Sequence, residues 1–182
     1  MQNQIMNVKI IRQTTRPIKS ISHKTSSCSL EVISENGESY EYDYLRQRST
    51  SASSQHITSK VLQVGYILNI KYTLYSDHVL KFYESAEEVF EMPVNTLNFS
   101  NIIVFANNND VIVISVSTTD PDKFDVYRIN NLLAKNGDKT DMKRLLRLQG
   151  HADHDVHTGN IMNFEYVNHI LFVGYEDGSL IR

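Results

Sequence analysis

The sequence predicts an all-β chain built from a repeated four-stranded unit, on three observations. Short runs rich in Val, Ile, Tyr, Phe and Thr recur about every ten residues. Polar turns separate them, including Asn36-Gly37 and Asp177-Gly178, dipeptides that accept the positive φ of tight hairpin turns. Three tyrosines near strand ends, Tyr42, Tyr83 and Tyr127, recur at spacings of 41 and 44 residues. That period is the length of one blade of a β-propeller of the WD type.

Taken in order, residues 1–15 are a tail and 16–182 divide into repeats. The first unit, about 16–49, has strands near 17–22, 29–34 and 38–45, and the Ser/Thr/Ala run 49–54 reads as a connection. The second, about 56–89, has strands at 61–68, 70–76 and 78–84. Its acidic end, 84–91, reads as a polar turn leading into a strand. The third, about 90–148, is lengthened by an exposed insertion at 130–140, and the fourth covers 151–182. Residues 129–135 and 142–147 are the two segments that read as short helix. The strands are apolar at both parities: Leu80 and Phe82 point one way, Val79 and Tyr83 the other. Blades stacked face to face require that pattern, because both faces of each sheet meet protein.

Composition narrows the function classes. The 182 residues are 41% hydrophobic and 21% charged, which suits a packed globular chain. A formal net charge of −3 argues against a phosphate-binding surface built on bulk charge. Cys28 is the single cysteine, so a disulfide scaffold is excluded and a reducing compartment such as cytosol or nucleus is expected. No run approaches the roughly 20 apolar residues of a membrane helix, and the first sixteen residues lack the apolar core of a signal peptide.

In a WD blade a buried polar network joins an early His, a turn Asp and a strand-end aromatic. The structural candidates here are His56, Asp77 and Tyr83 in the second unit and His157 and Asp177 in the fourth, with Tyr42 and Tyr127 as strand-end aromatics. The chain has no Trp, so tyrosine stands where the Trp-Asp dipeptide would supply its ring. Replacing Tyr83 by alanine is expected to unfold the second unit. Three and a half blades fall short of a probable seven-bladed ring of roughly 280 residues. The expectation is an N-terminal part of a longer protein, or a ring completed by a second chain.

Several segments together resemble one family. Glu91-Met92-Pro93-Val94-Asn95-Thr96-Leu97-Asn98-Phe99 is similar to the stretch that opens the third blade of the ASTRA-associated protein 1 family of budding yeasts. Arg16-Pro17-Ile18, the run from Glu41 to Arg48, Phe124-Asp125-Val126-Tyr127, the run from Thr158 to Phe164 and Gly174-Tyr175-Glu176-Asp177-Gly178 follow in the same order. The resemblance implies a non-enzymatic WD-repeat scaffold subunit of the ASTRA complex, a nuclear chromatin regulator. Its implied partners are a kinase-like scaffold, the co-chaperones of PI3-kinase-like kinases and paired AAA+ helicases, without nucleic acid, membrane or cofactor. It carries over no catalytic residue and no metal site.

Two other readings stand beside it: a G-protein-β-like signalling adaptor, and a metal-binding protein using His151, His154 and His157. A spacing of three alternates sides on an extended segment, which favours a polar loop for those histidines. Cys28 lacks the partners of a nucleophile, and Lys143, Arg144 and Arg147 read as a solvated basic face.

Overall fold

The computed structural model describes residues 17–24, 27–34, 38–46, 48–54, 59–96, 100–134, 139–149 and 158–182. Among the described residues there are fifteen strands and no α-helix. The first sheet holds β1 (Ile18–Lys24), β2 (Ser29–Ser34), β3 (Glu38–Asp43) and β4 (Arg48–Ser54). The second holds β5 (Val61–Ile67), β6 (Ile70–Tyr75), β7 (Val79–Glu84) and β8 (Glu87–Pro93). The third holds β9 (Ile103–Asn107), β10 (Asp110–Val116), β11 (Lys123–Asn130) and β12 (Asp141–Gln149). The fourth holds β13 (Ile161–Val167), β14 (Ile170–Tyr175) and β15 (Leu180–Ile181). Every sheet is an antiparallel meander in chain order.

Alternation along β10 explains why its run is apolar at both parities. Val111 and Val113 belong to the core shared with the second sheet, beside Leu74, Leu80, Phe82 and Met92. Ile112, Ile114 and Val116 belong to the core shared with the fourth, beside Ile161, Phe164 and Val173. A smaller core joins Ile33 of the first sheet to Val61, Val64 and Tyr75 of the second. The sheets thus stack in sequence order through their faces, as blades do.

Tight two-residue turns close the first hairpin of each later sheet, and non-glycine residues hold positive φ there: Leu68 (54°), Asn108 (56°), Asn168 (50°) and His169 (65°). The second and fourth sheets repeat one another at an offset of 100 residues. Both have a bulge after their first residue, at Val61/Gln63 and Ile161/Asn163. Both turn after a tyrosine, Tyr75 or Tyr175, with positive φ three residues on, at His78 (67°) and Gly178 (86°).

Some expectations change. Residues 49–54, read as a connection, lie in β4 and pair with β3. An outer strand needs little burial, so a Ser-rich sequence can supply its backbone. Residues 90–93, placed by the period in the third unit, lie in β8. The 142–147 segment lies in β12, and β11 runs through Asn130 before a turn at 131–133. Backbone pairing along Lys123–Asn130 overrides the local helical tendency of both segments.

Gly65 sits opposite Tyr72, whose buried ring occupies the space a Cβ would fill. A methyl group there would displace the ring from its packing beside Phe82, 6.4 Å away between centroids. Gly65→Ala is expected to cost about 1–3 kcal/mol, the usual penalty of overpacking. In a Tyr72→Leu background the same change should cost less. Urea denaturation of the four proteins checks this, and a penalty equal in both backgrounds would refute the clash.

Candidate functional site: the seams between sheets

Each of the first three sheets is joined to the next by one recurring device on, or directly before, its first strand. Ser20 Oγ receives a hydrogen bond from the Val64 amide at 3.2 Å and lies 3.5 Å from the Val64 carbonyl, to which it donates. Gln63 accepts from the Ile102 amide at 2.9 Å and donates to the Ile102 carbonyl at 3.0 Å. Asn101 does the same to Phe164, at 2.7 and 2.8 Å. Gln63 and Asn101 each directly precede a residue, Val64 or Ile102, that the preceding sheet clamps. Val64, Ile102 and Phe164 have little or no exposed surface. Both of their backbone groups would otherwise go unpaired, at about 1–3 kcal/mol each. Sequence reasoning missed this device. Its signal is a short polar residue before a core residue at the start of each unit, and the spacing is blurred because the third hairpin is longer.

A second set of bonds joins the turn after the second strand of a sheet to the chain arriving at that sheet or at the next one. Thr96 Oγ1 lies 2.7 Å from His78 Nδ1, and Asn95 donates to the Ser117 carbonyl at 2.7 Å. The Ile161 amide donates to the Pro121 carbonyl at 3.0 Å, and the Asp177 amide to the Thr158 carbonyl at 3.2 Å.

Charge is buried at two places. Glu31, 8% exposed, accepts from Tyr66 Oη at 2.7 Å and Lys71 Nζ at 2.8 Å across the first seam. Burial and the neighbouring Glu31 push the Tyr66 phenol far above its ordinary range. Asp125, with no exposed surface, accepts a two-pronged bond from Arg147 at 2.7 and 2.9 Å and one from Tyr127 Oη at 3.1 Å. Burial alone would raise the Asp125 carboxyl, but the Arg147 and Tyr127 bonds and the charges of Arg147 and Arg144 hold it below the usual carboxylate range. Arg147 is therefore a fork on Asp125, with Asp120 and Thr119 also in reach, rather than part of a solvated face.

The residues proposed for a blade network are placed as follows. Asp77 accepts from Ser59 Oγ at 2.6 Å, and Asp177 accepts from the Ser179 amide at 2.8 Å. Tyr83 shares a hydrogen bond of 3.1 Å with Tyr75 and stands at the far end of β7 from Asp77. Tyr127 is tied to Asp125, and Tyr42 is half-buried in β3 opposite Leu30 and Ser49. His56 and His157 lie outside the described residues, as do His151, His154 and the Asn136-Gly137-Asp138 turn of the 130–140 insertion. Among the described residues no group of three or more His, Cys, Asp or Glu is placed to hold a metal.

Sheets stacked and clamped in this way define a β-propeller. The crystal structure of the computationally designed Ika4 protein has this arrangement, with a TM-score of 0.55 at 14% identity over 96% of both chains. The computationally designed Ika8 protein matches 90% of this chain over 44% of its own, with a TM-score of 0.51 at 16% identity. No family model matches the chain.

By sequence the chain is similar to curated proteins named ASTRA-associated protein 1. That of Candida tropicalis is 26% identical over 163 residues, 86% of this chain and 44% of the relative. Those of Scheffersomyces stipitis and Saccharomyces cerevisiae are 35% and 30% identical over 115 and 106 residues, 53% and 52% of this chain. The resemblance carried by the sequence motifs is therefore shown. The chain spans less than half the length of these relatives.

Proposed function

We propose that this chain is a non-enzymatic propeller scaffold that works in the ASTRA complex by binding other protein subunits. The observation that carries the reading is similarity over most of the chain to proteins whose name states that association. The architecture agrees with it: the buried polar groups of the seams hold sheets together, and propellers present their loops and outer strands for binding. On this reading the protein acts in the nucleus, within chromatin-remodelling assemblies, and its sheets are WD-type repeats. Its partners are a kinase-like scaffold, co-chaperones of PI3-kinase-like kinases and AAA+ helicases. Affinity purification of the tagged protein, with mass spectrometry of what is retained, tests the proposal. Near-stoichiometric recovery of those subunits is the expected result. Their absence, with the bait folded and abundant, would overturn it.

A further inference from the structure

The three four-stranded sheets end in outer strands of different character. β4 is a run of Ser and Thr with one Arg and one Ala. β8 exposes Glu87, Glu88 and Glu91, and Lys81 bridges the last two at 2.8 and 3.2 Å. Polar and charged outer strands of this kind keep a free edge from pairing with other chains. β12 instead joins apolar surface to charge of one sign. It is nine residues long, and no strand pairs with its outer side among the described residues. On it Met142, Leu145, Leu146 and Leu148 are 37–44% exposed.

Register assigns these side chains to the two faces of the sheet. Lys143, Leu146 and Leu148 lie opposite Arg128, Val126 and Phe124, on the face toward the fourth sheet. Met142 and Arg144 lie opposite Ile129 and Tyr127, on the face toward the second. Each face of the edge therefore offers apolar surface and a base. From Met142 to Gln149 every charged residue is basic. Arg147 is committed to Asp125, but the Arg144 side chain is 52% exposed and reaches Asp125 only at 3.9 Å. Lys143 is exposed and pairs with no acid among the described residues. Sheets pack on both faces of the third, so its outer edge lies on the circumference rather than at an end of the stack.

We infer that β12 takes an extended segment of a partner protein as a fifth strand of the third sheet, and that this segment carries two adjacent acidic residues between apolar ones. Backbone hydrogen bonds along the free edge supply the affinity, and the side chains on either face supply the specificity. Successive residues of a strand point to opposite faces, so an adjacent acidic pair sets one carboxylate beside Lys143 and the other beside Arg144. Apolar residues on either side of the pair then cover Met142 and Leu146. A second copy of β12 in that place would set Lys143 and Arg144 against like charges, which is unfavourable. The inference rests on the reading of the chain as a scaffold for other proteins, and adds the surface and the chemistry of the segment it holds.

Two labelled nonapeptides test it, alike except that a central Glu-Glu pair between Val and Leu residues becomes Lys-Lys. Fluorescence anisotropy is expected to show the acidic peptide binding about tenfold more tightly, with amide exchange slowed across 141–149 and unchanged across 87–93. Lys143→Glu, in a protein that melts as the parent does, should weaken binding about fivefold, and Arg144→Glu likewise, whereas Glu88→Gln should leave it intact. Equal binding of the two peptides, protection elsewhere than β12, or indifference to both charge reversals would overturn the proposal. A photo-reactive residue in place of Leu145, in the tagged protein within its own cells, locates the natural occupant. A cross-link to an acidic segment of another protein supports the arrangement; one to the protein's own chain, or to a segment without acids, overturns it. The result separates from that of the purification. Recovery of the ASTRA subunits without peptide binding refutes this edge alone, and peptide binding without those subunits refutes the ASTRA reading alone.

Discussion

Replacing Phe82 by alanine is expected to destabilise the chain by about 3–5 kcal/mol, the usual cost of deleting a buried aromatic ring. Phe82 has no exposed surface and lies at the centre of β7, with Tyr72 and Phe90 on the flanking strands at centroid distances of 6.4 and 6.3 Å. Its face of the sheet also meets Val111 and Val113 of the third sheet, so the cavity would open at a seam as well as within a sheet. For a chain of this length that corresponds to a fall in melting temperature of about 6–20 °C. The neighbouring Tyr83, the residue that the sequence marks for the same experiment, is only half-buried, so even with the loss of its bond to Tyr75 its removal should cost less. Leu45→Ala serves as the control: Leu45 is 71% exposed and its loss should fall within about 0.5 kcal/mol. Equal effects from Phe82 and Leu45 would show that the second and third sheets do not pack through this face.

The difference between Phe82 and Tyr83 shows what was legible in the sequence. Strand runs, turns and a period near 40 residues are local signals, and they foretold an all-β chain of repeated antiparallel units with both strand faces buried. The outer strands were harder. The Ser-rich β4 has almost no apolar pattern, and β12 with its Leu-Leu pair reads locally as helix, so pairing partners rather than composition decide both. The seams were harder still. Nothing local marks Ser20, Gln63 and Asn101 as one device, because each meets its target 39–63 residues away and the amide or hydroxyl alone is an unremarkable surface residue. Asp125 stood in plain view within Phe124-Asp125-Val126-Tyr127, since an acid inside an apolar strand demands a cationic partner. That partner, Arg147, lies in the strand misread as helix.

Asp125 is also where the strongest pH dependence is expected. Its carboxylate is fully buried and receives three hydrogen bonds, so Asp125→Asn removes the charge that Arg147 and Arg144 face while preserving size. Breaking a buried ion pair from one side costs about 3–5 kcal/mol. The lower end is expected here, because Arg147 is a quarter exposed and retains Asp120 and Thr119. The sign with pH follows from the depressed carboxyl of the folded chain. Its contribution is fully present above the ordinary value of 3.8 and is lost as pH falls through the lower folded value. Melting temperatures of the two proteins should therefore differ most at neutral pH and converge as the solution is acidified below about pH 4, where the unfolded carboxyl takes up its proton. A gap that stays constant from pH 7 to pH 2 would mean that the shape of the Asp125 side chain, not its charge, holds β11 to β12.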